Sequence, residues 1–69
     1  MHKNRLRVLR AEHRLTQMAL ARRIQIGTYR LWQIENGYAV ASAKERAALA
    51  KVFKVDESVV FPEPERAAS

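Results

Sequence analysis

The stretch from Thr16 to Gly37 constrains the fold of this 69-residue chain more than any other part of its sequence. It holds two segments with apolar residues at helical spacing, and only residues 25–27 separate them. Thr16 is a suitable N-cap for the first segment, because its hydroxyl can accept hydrogen bonds from the free amides of a first turn. Gly37 suits the left-handed residue that often follows a helix. The stretch therefore predicts two short helices, at about 17–23 and 28–36, joined by a tight turn.

Three further helices are predicted around this pair. Leu6 and Leu9 lie at helical spacing in the first of them, within residues 3–13. Ser42 and Glu45 have the spacing of a capping box, which predicts that a fourth helix begins there. The residues of the second, third and fourth helices that are predicted to face the core are Leu20, Ala21, Ile24, Leu31, Ile34, Ala47, Leu49, Ala50 and Phe53.

A short fifth helix and a tail are predicted towards the C-terminus. Asp56 can cap this helix, which would run through Phe61, and the prolines that follow cannot continue it. Residues 62–69 are predicted to be a disordered acidic tail. A chain of this length has room for one domain, which buries only about 60% of its unfolded surface. The sequence therefore predicts an all-α, five-helix domain in residues 1–61 with marginal stability.

Charge is distributed unevenly along the chain, whose net charge is +6. Residues 1–54 hold twelve lysines and arginines against three glutamates, whereas residues 55–69 carry a net charge of −3. A cationic domain attracts polyanions, of which nucleic acid is the commonest in a cytosol. Solubility alone is the other interpretation of such a surface.

Several classes of protein are disfavoured by what the sequence lacks. It has no cysteine, which excludes disulfides and thiolate metal sites. No apolar run approaches the roughly 18 residues of a membrane span, and the N-terminus lacks the apolar segment of a secretory signal. His2 and His13 lack further metal ligands, and Ser42 and Ser58 lack a nearby histidine for catalysis. We therefore expect a cytoplasmic, nucleoid-associated protein with no enzymatic activity, metal, cofactor or membrane partner.

A set of residues spread over the chain has the spacing of a known family. They are Leu6, Leu9, Arg10, Leu15, Thr16, Gln17, Leu20, Ala21, Ile24, Ile26, Leu31, Ile34, Glu35, Asn36, Gly37, Leu49, Ala50, Lys51, Val55 and Phe61. With this set, the chain resembles the phage repressor and Cro, or Xre-type, helix-turn-helix domains over about residues 5–61. The resemblance implies a compact, lambda-repressor-like fold whose third helix enters the DNA major groove. It also implies a structural ion pair between Arg10 and Glu35.

The sequence departs from the family pattern at several positions. Gln25 stands where the family usually has glycine in the turn, so a positive φ there would cost about 1 kcal/mol. Gly27 stands where serine or threonine commonly caps the third helix, and Trp32 replaces a small or polar residue. These departures concern base recognition rather than the fold.

The outward face of the predicted third helix carries the candidate base contacts Thr28, Tyr29, Gln33 and Trp32. Gln33 can make a bidentate amide contact with adenine, and Thr28 and Tyr29 offer apolar contact to a thymine methyl. A solvated helix face is the plain alternative. Trp32 has three interpretations: contact with DNA, an anchor of a protein interface, or local packing on Tyr29 or Tyr38. The candidate contacts to the DNA backbone are Gln17, Arg30, Asn36, Arg22, Arg23, Tyr38 and Lys44.

The sequence thus predicts a sequence-specific, double-stranded DNA-binding transcriptional regulator that acts as a repressor. We expect a homodimer on a pseudo-palindrome, because the domain is small and Val40, Val52 and Val59 have no obvious place in its core. The alternative function is a protein-binding module, such as an antitoxin or adaptor, that uses the same fold. Such a module would engage its protein partner through Trp32 and the acidic tail.

Overall fold

The computed structural model describes residues 4–62, which form five helices joined by short loops and turns. The helices are α1 (Leu6–Glu12), α2 (Gln17–Arg23), α3 (Thr28–Glu35), α4 (Ala43–Phe53) and α5 (Glu57–Val60). No strand occurs in this stretch, and the prediction of an all-α, five-helix fold is confirmed. The predicted acidic tail at 62–69 lies, apart from Pro62, outside the described residues, as does His2.

One apolar core holds the helices together, and every helix contributes at least one buried side chain. The side chains with almost no exposure are Leu6, Leu20, Leu31, Ile34, Leu49 and Val60. Burying a side chain of this kind stabilises a fold by about 1.5–3 kcal/mol relative to exposure. Two core residues, Leu31 and Ile34, belong to α3, so this helix is attached to the domain along its inner face.

Three details differ from the sequence-based predictions. Ala47 is exposed rather than core-facing, because it lies about 120° from Phe53 around the α4 axis. Asp56 occupies the N-cap position of α5, but its carboxylate makes no capping hydrogen bond. Val52, for which the sequence indicated no obvious place in the core, is half-buried and packs against the core.

α2 and α3 form the predicted helix-turn-helix pair, and local hydrogen bonds fix the turn between them. The Thr16 hydroxyl accepts a hydrogen bond from the Ala19 amide, in the first turn of α2, at 3.0 Å. Beyond α2, the Ile26 amide donates to the Ala21 carbonyl at 3.0 Å. Gln25, which this hydrogen bond spans, adopts a left-handed conformation with φ 61°. Gly27 is then the N-cap of α3 in extended conformation.

The C-terminal end of α3 is fixed by Asn4, just before α1, and by a glycine. The Asn4 side-chain amide donates to the Ile34 carbonyl at 2.8 Å and so satisfies an acceptor near the helix end. Gly37 has φ 81°, which glycine adopts without steric cost, and the chain reverses there. After the following loop, Ser42 and Glu45 form the predicted capping box of α4.

We expect Gln25→Gly to raise the stability of the domain by about 1 kcal/mol, because glycine removes the Cβ clash of a left-handed residue. For a domain of this size the melting temperature should rise by about 4–8 °C in thermal unfolding followed by circular dichroism. Gln25→Ala is the matched control, since it shortens the side chain but keeps Cβ. An equal rise in both variants would contradict strain at this position.

Candidate nucleic-acid interface

α3 presents two chemically different faces. Leu31 and Ile34 are buried against the core, whereas Thr28, Tyr29 and Trp32 point outwards and are exposed. This division follows from about 100° per residue, which places positions three and four apart on one side. The outward face therefore joins hydroxyl and aromatic groups on a helix whose reverse side is fixed.

Three aromatic rings stack on this outward face. The Tyr29 and Trp32 ring centroids are 5.8 Å apart with an interplanar angle of 13°. The Trp32 and Tyr38 centroids are 5.4 Å apart at 24°. Trp32 thus lies between the two tyrosines, which is the local packing that was the third interpretation of this residue. We call Tyr29, Trp32 and Tyr38 the aromatic stack.

Arg10 and Glu35 form a bidentate ion pair behind α3. Arg10 Nε donates to Glu35 Oε2 at 2.7 Å, and Arg10 Nη2 donates to Glu35 Oε1 at 2.9 Å. The Glu35 side chain is 1% exposed and that of Arg10 is 18% exposed, so water screens the pair little. The hydrogen bond that Arg10 donates to Glu35 raises the pKa of the Arg10 guanidinium above its ordinary value. The pair links α1 to the last residue of α3.

Gln17 joins this ion pair from the start of α2. Its Nε2 donates to Glu35 Oε1 at 3.1 Å, which connects α2 to the same carboxylate. Arg10 Nη1 in turn donates to the Leu15 carbonyl at 3.0 Å, just before α2. Gln17, a candidate contact to the DNA backbone, is therefore oriented by Glu35. Its second Nε2 hydrogen is free of partners within residues 4–62.

Arg30, predicted from the sequence to contact the DNA backbone, forms an intramolecular ion pair. Its Nε and Nη2 donate to Glu45 Oε2 and Oε1 at 3.0 and 2.9 Å, and Nη2 also donates to the Val40 carbonyl at 3.2 Å. The hydrogen bond between the two side chains raises the pKa of Arg30 and lowers that of Glu45. Only Nη1 is left without a partner within the described stretch. Arg30 therefore ties α3 to the capping box of α4.

Asn36 and Arg7 meet at the C-terminal end of α3. Arg7 Nη2 donates to Asn36 Oδ1 at 2.8 Å, and Asn36 Nδ2 donates to the Trp32 carbonyl at 2.9 Å. Arg7 is not among the residues predicted from the sequence to contact DNA. No local signal could have found it, because the contact joins positions 29 residues apart in the chain. It places an arginine beside the outward face of α3.

The other candidate residues have fewer contacts. The side chains of Thr28 and Gln33 make no hydrogen bond to another residue of 4–62. Gln33, which follows Trp32 in the chain, is half-buried. The remaining candidate contacts to the DNA backbone that are exposed are Arg22, Arg23, Tyr38 and Lys44.

Other kinds of site find no support in the part of the chain that the structure describes. Residues 4–62 contain no group of three histidine, cysteine or acidic side chains that could hold a metal ion. None of their helices has the length and apolar character needed to cross a bilayer.

A protein-family model described as a helix-turn-helix domain matches residues 4–60 of the chain. The match spans all five helices, from the start of α1 to the end of α5. Comparison with curated proteins and with solved structures gives no match.

We expect Arg10→Met to lower the free energy of unfolding by about 3–5 kcal/mol, because it leaves the Glu35 carboxylate buried without a charged partner. The double variant Arg10→Met/Glu35→Leu should recover most of this loss, since it buries no charge. Urea unfolding of the two variants measures both values. An exposed control is Arg23→Met, which should change stability little. An Arg10→Met variant as stable as the wild type would contradict a structural role for the Arg10–Glu35 pair.

Proposed function

This chain belongs to the helix-turn-helix domain family, and on that basis we propose that it is a sequence-specific, double-stranded DNA-binding transcriptional regulator that acts as a repressor. The outward face of α3 carries the proposal, because it exposes polar and aromatic groups on a helix that three other helices hold in place. Helix-turn-helix domains are binding modules, and the proposal includes no catalysis.

The dimensions and chemistry of α3 fit the major groove. An α-helix with its side chains is about 10–12 Å in diameter, and the major groove of B-DNA is about 12 Å wide, so the eight-residue α3 can enter it. In the proposed complex Thr28, Tyr29, Trp32 and Gln33 contact base edges. The Gln33 amide can donate to N7 and accept from N6 of adenine, or pair with another base edge, because no residue of 4–62 occupies it.

Contacts to the DNA backbone are proposed for residues around this face. Arg22, Arg23, Tyr38 and Lys44 are exposed and can reach phosphates directly. Gln17, Arg30 and Asn36 are held by intramolecular hydrogen bonds, and each retains a donor hydrogen that a phosphate oxygen can accept. The net charge of +6 supports affinity for a polyanion of this kind.

The proposed regulator acts in the cytoplasm as a homodimer. Two copies would bind half-sites about 34 Å apart, one helical turn of DNA, so that both α3 helices enter the same side of the duplex. Val40 and Val59 are exposed and supply apolar surface for self-association. These valines equally favour the second candidate function, a protein-binding module such as an antitoxin or adaptor.

Selection of bound sites from random duplex DNA tests the proposal. We expect the full chain to enrich one sequence with two inverted half-sites. A salt titration on that sequence should give a steep fall in affinity, with a slope of about −0.9 for each phosphate contact. Weak binding without sequence preference would contradict the regulator and favour the protein-binding module. An enriched single half-site, bound by one copy, would contradict the homodimer.

Gln33→Ala tests base recognition at the selected site. It should lose about 1–3 kcal/mol of discrimination at one base pair, because a bidentate amide contact is removed. Competition binding with each of the single-base variants of the site measures this loss. Lys44→Ala is the matched control, since losing a phosphate contact should weaken binding to all sequences and reduce the salt slope by about one. Unchanged discrimination in Gln33→Ala would contradict its assignment.

A further inference from the structure

We propose that the aromatic stack recognises the C5 methyl groups of pyrimidines in the major groove, which are those of thymine and of 5-methylcytosine. This inference rests on the proposed function and names the chemical group that this part of α3 selects. It concerns the rings of Tyr29, Trp32 and Tyr38 and not the neighbouring amide of Gln33.

Two independent features of the backbone bring the three rings of the stack together. Tyr29 and Trp32 are three residues apart on α3 and therefore share one face of the helix. Tyr38 reaches the same face from outside the helix, because Gly37 reverses the chain and the Tyr38 amide donates to the Gln33 carbonyl at 2.8 Å. The three rings are thus positioned before any partner binds, which reduces the entropy lost on binding.

The stack leaves a large amount of ring surface in water. Tyr29 is 70% exposed, Trp32 40% and Tyr38 63%, and the rings are contiguous. Adjacent exposed apolar groups are typical of a binding surface, whereas single ones are common on any protein. The only apolar group that a base edge displays in the major groove is the methyl group at C5 of thymine. A methylated cytosine carries the same group at the same position.

The surrounding charges favour DNA over an apolar protein partner at this surface. α3 has one acidic residue, Glu35, and its side chain is buried and paired with Arg10. The Glu45 carboxylate near the N-terminal side of α4 is likewise paired with Arg30. Arg7 lies at the C-terminal end of α3 through its contact with Asn36. Neither carboxylate is therefore left unpaired beside the stack, and Arg7 is the cationic side chain that lies at this end of α3.

Replacing thymine by deoxyuridine in the selected site tests this inference without altering the protein. The substitution removes only the methyl group and keeps every hydrogen-bonding group of the base. We expect the full chain to lose about fourfold in affinity for each contacted thymine, since burial of one methyl-sized apolar group has about this value. Where thymine is replaced by cytosine, methylation of that cytosine at C5 should restore affinity by a similar factor.

Trp32→Ala then assigns the effect to the stack. Loss of the middle ring should weaken binding to the thymine site and abolish most of the difference between the thymine and deoxyuridine sites. Val8→Ala is the matched control, because Val8 is a 46% exposed apolar residue of α1 with no proposed part in DNA binding or self-association, and it should preserve that difference. Circular dichroism of both variants verifies that they are folded.

The outcomes separate this inference from the proposed function. Enrichment of a site whose affinity is unchanged by every deoxyuridine substitution would overturn the inference and leave the regulator intact. A methyl effect that persists in Trp32→Ala would also overturn it. If Trp32→Ala lowers self-association and leaves DNA affinity unchanged, the stack is a protein interface and the inference is wrong. Failure to enrich any site would overturn the proposed function and the inference with it.

Discussion

The buried carboxylate of Glu35 is the constraint on which the arrangement of the helices depends. A charge with 1% exposure is tolerated only when hydrogen bonds and an opposite charge replace the water it has lost. Here Arg10 supplies two hydrogen bonds from α1, and Gln17 supplies one from α2. Because all three helices must approach one carboxylate, their relative positions are fixed by geometry and not only by apolar contact. A displaced α3 would leave that charge unpaired.

The same helix is restrained at several further points along its length. Asn4 binds the Ile34 carbonyl, Arg7 binds Asn36, and Arg30 binds Glu45 at the start of α4. Each hydrogen bond contributes modestly to the net free energy of folding. Together they restrict rotation of α3 about its axis, which decides which side chains face outwards. Such rigidity matters for the proposed recognition of DNA by α3, since a rotation by one residue would present a different set of groups.

The helix boundaries could be predicted from the sequence because short-range chemistry determines them. Thr16, Gly37 and the pair Ser42 and Glu45 act within four residues of their own positions, so their capping roles are visible in the sequence. The general core pattern was predictable for the same reason. Ala47 was misplaced because a small apolar side chain at the edge of a stripe is tolerated on either side.

Contacts between distant residues could not be predicted in this way. The Arg10–Glu35 pair was expected only from the family resemblance, and nothing local distinguished Arg30, which binds Glu45, from Arg22 or Arg23, which are exposed. An arginine reaches many positions, and its partner is decided by the packing of the helices that carry both. Packing of Trp32 on Tyr29 or Tyr38 was one of three interpretations of the sequence, and the path of the chain at Gly37 brings both tyrosines to the Trp32 ring.

These long-range pairs also shape the chemistry of the outward face. Arg10 and Arg30 form ion pairs with Glu35 and Glu45 within the fold. The groups left at the centre of the outward face are therefore uncharged: a hydroxyl, an amide and aromatic rings. Uncharged groups in fixed positions discriminate between bases, whereas mobile cations attract any phosphate. In the proposed complex, the exposed Arg22, Arg23 and Lys44 supply the second kind of interaction from outside α3. The fold thus separates a rigid, neutral surface suited to recognition from a cationic periphery suited to affinity.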